Sequence, residues 1–363
     1  MSGGVDSSVA AALLLKQGYD VVGIFMHFWS ETTDGQVRDN ICCSLEAQED
    51  ARRVCQKLGI PFYTMNMSAP FKKKIVDSFI SCYKKGQTPN PCVNCNKFIK
   101  FGEFIRKAKA LGCEYVATGH YANIQRDKRD KLFSKTVKKM GSTRNSRFVL
   151  LKSKDSKKDQ TYFLHRLNQS QLAHILFPVG GYTKDQVRKL AAQYDLPTAG
   201  KRESQEVCFI PDNNLDNFLR KYITFSVGPI RDIATGEKIG SHSGLPVFTI
   251  GQRKGIGLPG GPWYVCRLDK KNNTLWVTKN EQDLFSRELT VKNVNWIAGK
   301  ISKLPIKIKC RIRYGALDAI ATIVKKNVNK YLIKFASPQR AVTPGQYAVF
   351  YSGRECLGGG EIV

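Results

Sequence analysis

The chain has 363 residues, of which 42% are hydrophobic and 10% aromatic, which excludes an intrinsically disordered protein. This length predicts two or three domains with sizeable cores. Lys and Arg number 58 against 30 Asp and Glu, and the resulting net charge of +28 favours a polyanionic partner. Nucleic acid is the first candidate, an anionic membrane surface is the second, and a solvated basic surface without a specific partner is the third.

The lengths of the apolar runs and the number of cysteines indicate the cellular compartment of the protein. No apolar run approaches the roughly 20 residues that cross a membrane, and we expect no signal peptide before the first motif. The 11 cysteines are scattered and odd in number, in a chain too long to depend on disulfides. The sequence therefore predicts a reducing, cytoplasmic location, no membrane partner, and a few cysteines with chemical roles.

Helix and strand patterns alternate through the first 210 residues. An Ala- and Leu-rich run at 7–17 predicts a helix, and a continuous apolar run at 21–26 predicts a strand buried on both faces. Alternation of this kind predicts a parallel sheet with helices on both faces. The further expected elements are a helix ending at Gly59, strands at 61–67 and 115–118, and helices at 71–82, 98–111 and 183–194.

The second half of the chain has a different character. A basic stretch over 126–147 predicts a loop that contacts phosphate or is simply solvated. In 306–313, isoleucines and Cys310 alternate with Lys and Arg, which predicts a strand with one apolar and one basic face. Short β segments with Gly, Pro and Asn turns predict a barrel. The expected domains are an α/β domain over 1–210, a small central domain over 211–280 and a C-terminal β-barrel over 281–363.

A glycine-rich loop opens the chain and leads into the first predicted helix. Glycines let backbone N–H groups approach an anion, and the helix N-terminus adds about half a positive charge there. Asp6 is a candidate ligand for Mg²⁺ on the phosphates. A plain glycine turn is the alternative for a Gly-Gly pair alone, and the motif lacks the Lys of a Walker loop. The full string is Ser2-Gly3-Gly4-Val5-Asp6-Ser7-Ser8.

Two strings carry candidate reactive cysteines. Cys92 and Cys95 form a C-x-x-C on an expected loop before a helix, and Cys208 lies near the end of the α/β region. A C-x-x-C is typical of a redox pair or of half a zinc site, but no second C-x-x-C completes a structural zinc site. Because Cys95 lies near a helix N-terminus among lysines, we expect its thiol pKa to be lowered.

Taken together, the motifs resemble the tRNA-specific 2-thiouridylase family, whose members use the PP-loop of the ATP pyrophosphatases. The similarity spans essentially the whole chain. It implies a parallel-sheet PP-loop domain, a small central domain and a C-terminal β-barrel. The motifs occur in this order: the glycine-rich loop, Thr88-Pro89-Asn90-Pro91, Cys95-Asn96-Lys97, Ala117-Thr118-Gly119-His120, Lys158-Asp159-Gln160, Val207-Cys208-Phe209-Ile210, Thr249-Ile250-Gly251-Gln252-Arg253 and Gly345-Gln346.

The resemblance implies a role for each matching residue. Cys95 would be the nucleophile and Cys208 the persulfide carrier, and the two would form a disulfide during turnover. ATP would be bound by Ser2, Gly3, Gly4, Val5, Asp6, Ser7, Met26 and Gly119. The target base would meet Asn90, Pro91 and Cys92. Contacts to tRNA would come from His120, Lys158, Asp159, Gln160, Arg313, Tyr314 and Gln346.

The implied reaction replaces the C2 oxygen of the wobble uridine in the tRNA anticodon with sulfur. Oxide is a poor leaving group, so ATP with Mg²⁺ first adenylates the oxygen and releases pyrophosphate. Sulfur then arrives from the Cys208 persulfide, which a separate donor protein would load. The implied products are 2-thiouridine, AMP and pyrophosphate.

The sequence departs from the family pattern at Cys92 and at His27-Phe28-Trp29, where the family more often has Lys-Asn-Trp. Many members have Asp where this chain has Cys92, and a thiol is a weaker acid than a carboxyl group. Cys92, Cys95 and Cys208 could instead hold an iron–sulfur cluster, which is the alternative to the persulfide route. A PP-loop also hangs from a strand, whereas this sequence begins at the loop, so the first strand of the sheet is expected to be absent.

Two rival functions are compatible with parts of the sequence. Another PP-loop enzyme, such as a GMP synthetase, would share the first loop but not both cysteine strings. A tRNA-binding protein without catalysis would not need an intact phosphate loop together with Cys95 and Cys208. The two cysteine strings therefore favour the thiolating enzyme.

Overall fold

The computed structural model describes residues 1–33, 36–38, 44–127, 147–201, 207–210, 213–299, 301 and 303–363. Most of the predicted basic loop over 126–147 lies outside the described residues. No helix in the described part is long and apolar enough to cross a bilayer.

Within the described residues, the α-helices and π-helical segments lie in the first 220 positions of the chain. Those with eight or more residues begin or end near the positions that the sequence predicts. The helices are α1 Val5–Lys16, α2 Leu45–Leu58, α3 Ser68–Phe71, α4 Asp77–Lys84, α5 Pro91–Asn94, α6 Phe104–Ala110, α7 Thr161–Leu164, α8 Gln169–Leu172, α9 Lys184–Gln193 and α10 Leu215–Arg220, with π-helical segments at Lys72–Val76 and Cys95–Glu103.

The strands form a small parallel part, a central sheet and a barrel. They are β1 Gly23–His27, β2 Glu31–Thr33, β3 Gln36–Arg38, β4 Phe62–Asn66, β5 Val116–Ala117, β6 Ala122–Arg126, β7 Phe148–Lys152, β8 Ile175–Leu176, β9 Gly228–Asp232, β10 Lys238–His242, β11 Tyr264–Asp269, β12 Thr274–Thr278, β13 Phe285–Trp296, β14 Ile306–Arg311, β15 Ala319–Asn327, β16 Lys330–Arg340, β17 Tyr347–Ser352 and β18 Glu355–Ile362.

The parallel part of the α/β domain consists of two strand pairs. β1 pairs with β4, with Phe25 opposite Thr64, and β5 pairs with β8, with Val116 opposite Ile175. Within the described residues the two pairs are not hydrogen-bonded to each other. The α/β alternation is confirmed, and the parallel strands are present as two pairs.

Local capping explains why the helix ends could be predicted. Ser44 accepts a hydrogen bond from the Ala47 amide at the start of α2, and Gly59 ends that helix in the left-handed conformation, with φ +67. Thr183 forms a capping box with Gln186 at the start of α9. These contacts span only a few residues, so they are visible in the sequence.

The segment around Cys92 and Cys95 differs from the prediction. It was expected to be a loop, but α5, the Cys95–Glu103 π-helical segment and α6 follow one another without a break over residues 91–110. We call this element the cysteine helix. Pro91 occupies its first turn, where the fixed φ of proline suits a helix start and no N–H is lost. The helix therefore begins before both cysteines.

The C-terminal barrel is closed and has six strands. The hydrogen-bonded order is β13, β16, β15, β14, β17 and β18, and pairing of β13 with β18 closes the ring. The antiparallel hairpin β6–β7 of the first domain extends this sheet, because Cys356 of β18 lies opposite Leu150 of β7. The two domains therefore share a sheet, which alternation along the sequence did not predict.

Strand β14 has the predicted apolar face, but its basic face is only partly exposed. Ile308 and Cys310 point into the barrel core, and Lys307 and Lys309 are exposed. Arg311 instead pairs with Asp159 and Asp318, at 3.4 and 2.9 Å. The expectation of a fully basic outer face is therefore wrong at Arg311, because a buried acid from the first domain lies against it.

The central part forms a separate four-stranded sheet in the order β10, β9, β12, β11. Strands β9 and β12 are parallel, and the other pairs are antiparallel. Ile230, Val265 and Leu275 fill its small core. The sequence-based division at residues 210 and 280 stays a prediction.

A buried histidine lies where the first domain meets the barrel. The ring of His165 is fully buried, and its Nδ1 donates a hydrogen bond to the Tyr162 carbonyl at 2.7 Å. The ring packs against Tyr347 of β17, and a Cβ on Gly359 of β18 would reach within 2.7 Å of it. Burial lowers the pKa of His165 to about 3, and the nearby Arg166 charge adds to this shift.

We predict that His165 makes folding stability depend on pH. Because its pKa is lowered in the folded state, the unfolded chain binds the proton more tightly, and stability is lost as the pH falls below about 6.5. Between pH 7 and pH 5 the loss is about 2 kcal/mol. His165→Gln should remove this part of the dependence in urea unfolding measured at both values. His120 and His242 shift in the same direction but remain in both proteins, and equal pH dependence would contradict the prediction.

Candidate functional site

The glycine-rich loop places its backbone around the N-terminus of α1. Gly4 is the N-cap residue of α1 and has no side chain to accept hydrogen bonds from the first amides of the helix. These amides therefore point outward without a capping side chain. Ser7 donates from Oγ to the Gly4 carbonyl at 3.0 Å and accepts a hydrogen bond from the Ser2 amide at 3.2 Å. Gly3 has φ +68, and a Cβ there would lie 2.3 Å from the Ala47 carbonyl oxygen. The loop is therefore compact and requires glycine at this position.

Residues predicted to meet ATP are brought to the same place from distant parts of the chain. Gly119 follows β5 and lies against the first turn of α1, where a Cβ would come within 2.7 Å of the Ser7 amide nitrogen. Met26 lies near the carboxyl end of β1, and Val5 is buried behind the loop. Ligands of parallel α/β sheets bind at this edge. The arrangement forms a cradle suited to a nucleotide phosphate.

Asp6 is engaged by the protein itself. Its two carboxylate oxygens accept hydrogen bonds from the Lys184 ammonium at 2.7 and 2.8 Å, and the Tyr121 hydroxyl donates to it at 2.7 Å. The Lys184 side chain is buried. Because Lys184 and Tyr121 already bind this carboxylate, a Mg²⁺ ion at Asp6 would compete with them, and Mg²⁺ binding by Asp6 stays a prediction. Asp6 ties α1 to α9.

The three candidate cysteines lie in one region. Cys92 is in the first turn of the cysteine helix, and Cys95 begins its π-helical segment, a distortion that is frequent at functional sites. Cys95 is buried, and Cys208 packs against the same apolar cluster. Cys95 and Cys208 are not joined by a disulfide in this structure. The structure therefore places both predicted sulfur carriers beside a common core.

The thiol of Cys92 is a weak acid in this structure. Its side chain reaches the surface, yet the protein packed around it removes enough water to raise its pKa to about 11. The Cys208 thiol is close enough to add to the shift, and Lys100 opposes it. Cys92 is therefore protonated at neutral pH and does not act as a base.

The cysteines do not form a metal site in this structure. Among the residues that the structure describes, no group of three or more His, Cys, Asp or Glu side chains is placed to hold a metal ion. Cys92, Cys95 and Cys208 are all described, so the iron–sulfur alternative finds no support in their arrangement.

Packed aromatic rings join the phosphate cradle to the cysteine helix. His120, next to Gly119, packs between Phe101 of the cysteine helix and Phe177, with ring centroids 5.6 and 5.8 Å apart. Burial lowers the pKa of His120 well below its ordinary value, and the Lys100 charge adds to this effect. His120 is therefore neutral and links the two halves of the site, and the tRNA contact expected for it stays a prediction.

Lys100 is a residue that the sequence analysis missed. Its charge acts on both His120 and Cys92, so it lies between the two halves of the site. It follows Cys95 by five residues, which is about one turn of the π-helical segment. That spacing would have revealed Lys100 only if the segment had been predicted as a π-helix.

Thr88, two residues before Asn90, is held by both of the other domains. Its amide donates to the Pro344 carbonyl at 3.0 Å, and its own carbonyl accepts from Gln346 Nε2 at 2.8 Å. Its hydroxyl lies 3.3 Å from the hydroxyl of Thr249 in the central domain. Gln346, predicted to meet tRNA, therefore positions the start of the cysteine helix.

The predicted tRNA contacts divide into buried and exposed residues. The Asp159 side chain is almost fully buried, where it accepts from Thr161 Oγ1 at 2.8 Å and pairs with Arg311. Gln160 Oε1 accepts from the Tyr121 amide at 2.9 Å. The carboxylate of Asp159 is thus directed into the fold and away from solvent, because Arg311 and Thr161 surround it.

Arg313 and Tyr314 lie on the exposed loop after β14. The Tyr314 ring packs on Phe163 with centroids 4.4 Å apart. The Phe163 carbonyl in turn accepts a hydrogen bond from Asn96 of the cysteine helix at 3.2 Å. The loop is therefore placed beside the cysteine helix, and its exposed cation and aromatic ring suit contact with nucleic acid.

Three family models match the chain. Residues 1–212 match a model described as a tRNA methyl transferase HUP domain, residues 216–279 a tRNA methyl transferase PRC-barrel domain, and residues 286–362 an aminomethyltransferase β-barrel domain. The fold and its phosphate cradle therefore define a HUP-domain protein of a tRNA-modifying class.

Comparison with curated relatives identifies the family within this class. The chain is 46% identical over 368 residues to tRNA-specific 2-thiouridylase of Symbiobacterium thermophilum, covering 100% of this chain and 90% of the relative. It is 47% identical over 367 residues to an enzyme of that name from Caldanaerobacter subterraneus, and 45% identical over 364 residues to one from Clostridioides difficile, covering 100% of this chain and 96% of each relative. The chain belongs to the tRNA-specific 2-thiouridylase family.

We predict that Asp6 and Lys184 are energetically coupled. Removing one partner of a largely buried ion pair leaves the other uncompensated, so Lys184→Met should destabilise the fold by about 2 kcal/mol. Asp6→Asn should cost less, because the amide still accepts from Tyr121. A double-mutant cycle in urea unfolding measures the coupling, and Lys189→Met on the same helix is the control. Additive effects of the two substitutions would contradict the pairing.

A second prediction concerns the clamp on Thr88. Gln346→Ala removes one hydrogen bond, worth about 1 kcal/mol, and should raise local opening of the cysteine helix about fivefold. Alkylation of buried Cys95, followed by peptide mass spectrometry, reports that opening. Gln339→Ala, on the same barrel but away from Thr88, should leave the rate unchanged. An unchanged rate in Gln346→Ala would show that the clamp does not hold the helix.

Proposed function

We propose that this protein thiolates the wobble uridine of tRNA at C2 in an ATP-dependent reaction. The observation that carries the proposal is the convergence of a phosphate cradle with two thiols, linked through Gly119, His120 and Phe101. A phosphate-binding enzyme without sulfur chemistry would not need Cys95 and Cys208 beside a shared core. The names of the relatives support the same reaction.

The first step is activation of the uridine oxygen. In the proposed reaction, uracil O2 attacks the α-phosphorus of ATP, and the bond to the pyrophosphate leaving group breaks. The outward amides of α1 and the closely packed Gly3 and Gly4 support binding of the phosphates. Mg²⁺ is expected to accompany ATP.

The second step transfers sulfur from the Cys208 persulfide to C2 of the uridine. The terminal sulfur of a Cys208 persulfide forms a bond to C2, and AMP leaves with the bonding pair of the C2–O bond. The Cys95 thiolate then attacks the Cys208 sulfur, which breaks the S–S bond to the transferred sulfur and releases 2-thiouridine. Alternatively, Cys95 attacks first and the released hydrosulfide attacks C2. Both routes leave a Cys95–Cys208 disulfide, which a thiol reductant must reduce.

Cys92 is proposed to contact the target base together with Asn90 and Pro91. Its raised pKa keeps a proton on the thiol, so it can donate a weak hydrogen bond but cannot replace the carboxylate found in many relatives as a base. Its exposure at the helix start supports a contact with a base that enters from solvent.

Two of the remaining proposed RNA contacts, Arg313 and Tyr314, are exposed and suit the RNA backbone and an unstacked base. The other two are Lys158, which is half-buried, and His120, which packs between Phe101 and Phe177. Asp159, Gln160 and Gln346 support the site from within, since their side chains bind protein atoms.

The experiment that tests the function combines purified protein, ATP, Mg²⁺, a sulfide or persulfide source and unmodified tRNA. We expect 2-thiouridine by nucleoside mass spectrometry, with AMP and pyrophosphate in equal amounts. Cys95→Ser and Cys208→Ser should each reduce the product at least about a thousandfold, because each removes an essential nucleophile or carrier. Cys92→Ser should keep activity within about tenfold, since this thiol stays protonated.

Cys113→Ser is the matched control, because this cysteine is exposed and outside the site. Tight tRNA binding without any product would instead support a binding protein. Full activity of Cys208→Ser with a persulfide donor would contradict its proposed role as sulfur carrier.

A further inference from the structure

Three cationic side chains surround one aromatic ring on the cysteine helix. Phe98 lies three residues after Cys95. Lys74 Nζ, Lys97 Nζ and Arg166 Cζ lie 6.0, 5.6 and 5.4 Å from the centroid of its ring. All three distances are within the range of cation–π attraction. The three cations come from three different elements and converge on one point, and we call this group the Phe98 cluster.

No carboxylate of the described residues neutralises the charge of the Phe98 cluster. Across the described ranges, none of its three cations forms an ion pair with a carboxylate. Glu103 is influenced by Lys74, but its carboxylate is bound by Arg106 at 2.6 Å. The Arg166 charge acts on Lys97, and an anion bound beside these two cations would relieve their repulsion.

The lowered pKa of Lys97 reflects both its burial and the neighbouring charge of Arg166. Lys97 is half-buried, and loss of water together with the Arg166 charge lowers its pKa to about 8. A bound anion would raise this pKa again. The cluster is open to ligands, because Lys74 is exposed and the Phe98 ring is only half-buried.

The guanidinium of Arg166 is oriented toward the cysteine motif. Its Nη1 donates to Asn94 Oδ1 at 2.5 Å and to the Tyr347 hydroxyl at 3.4 Å. Asn94 lies between Cys92 and Cys95, so the cluster begins directly beside the residues proposed to meet the target base. A planar guanidinium with two nearby ammonium groups suits a phosphate group.

We propose that Lys74, Lys97 and Arg166, arranged around Phe98, bind a phosphodiester of the RNA strand adjacent to the target nucleotide. This inference rests on the proposed function, since it assumes that the target base lies at Cys92 and Cys95. A nucleotide at that position carries a phosphodiester on each side, and the cluster would hold one of them. The site positions the strand without reading its sequence.

The first test measures binding of a labelled anticodon stem-loop at several salt concentrations. Lys74→Gln and Lys97→Gln should each weaken binding roughly fivefold and lower the slope of log K against log salt by about 0.7. Lys73→Gln, a neighbouring exposed lysine outside the cluster, is the matched control and should retain the wild-type slope. Slopes in both variants equal to that of Lys73→Gln would overturn the proposal.

The second test replaces single phosphodiesters beside the target uridine with neutral methylphosphonates. One of the two substituted RNAs should bind the wild-type protein at least about fivefold more weakly. The same substitution should weaken binding to Lys97→Gln by a smaller factor, because the contact with Lys97 is already missing. Equal, additive losses in the variant would overturn the site.

A third measurement separates this inference from the proposed function. Nucleotide binding by calorimetry should be unchanged in Lys97→Gln, which also shows that the variant is folded. Weaker ATP binding with unchanged RNA binding would mean that the anion is a nucleotide phosphate, and it would overturn the RNA assignment. If the wild-type protein forms 2-thiouridine while the variants match the control, only the Phe98 cluster fails. If the wild-type protein binds no RNA and makes no product, the proposed function fails first.

Discussion

The position of the cysteine helix depends on the hydrogen bonds that hold Thr88. The amide and carbonyl of this residue bind the barrel through Pro344 and Gln346, and its hydroxyl lies against Thr249 of the central domain. Gly345 permits the close approach, since its φ is +92 and a Cβ would lie 3.0 Å from the Thr88 amide. Three residues later, at Pro91, the helix that carries Cys92 and Cys95 begins. Both accessory domains therefore determine where the thiols are placed.

In this strongly basic protein, ion pairing distinguishes the charged side chains that stabilise the fold from those that we propose to contact RNA. Asp6 and Asp159 are bound by Lys184 and Arg311, so their carboxylates stabilise the fold near the site. In contrast, Lys97 and Arg166 have no carboxylate partner among the described residues, and Arg313 is exposed. Buried ion pairs are lost at a high cost when one partner is removed. Cations without a carboxylate partner among the described residues are the ones that we propose for contact with RNA phosphates.

The sequence predicted the elements that depend on short-range contacts. The ends of α2 and α9 follow from Ser44, Gly59 and Thr183, which bind amides or adopt backbone angles within a few residues. The start of the cysteine helix was misplaced, because its π-helical segment has no residue pattern that differs clearly from an ordinary helix or loop. Pairing of β7 with β18 was also missed, since strand pairing between distant segments leaves no periodic pattern in the chain.

The sequence by itself determined the chemistry that we propose for this protein: the glycine-rich loop for phosphate, two thiols for sulfur and an excess of positive charge for RNA. These properties depend on residue type and on spacing within short motifs. Tertiary structure alone decided which side chains remain available. Asp6 lies 178 residues from Lys184 in the chain, and Asp159 lies 152 residues from Arg311. Whether a carboxylate binds a ligand or an internal cation depends on such distant partners, because burial and ion pairing are set by the packing of the whole chain.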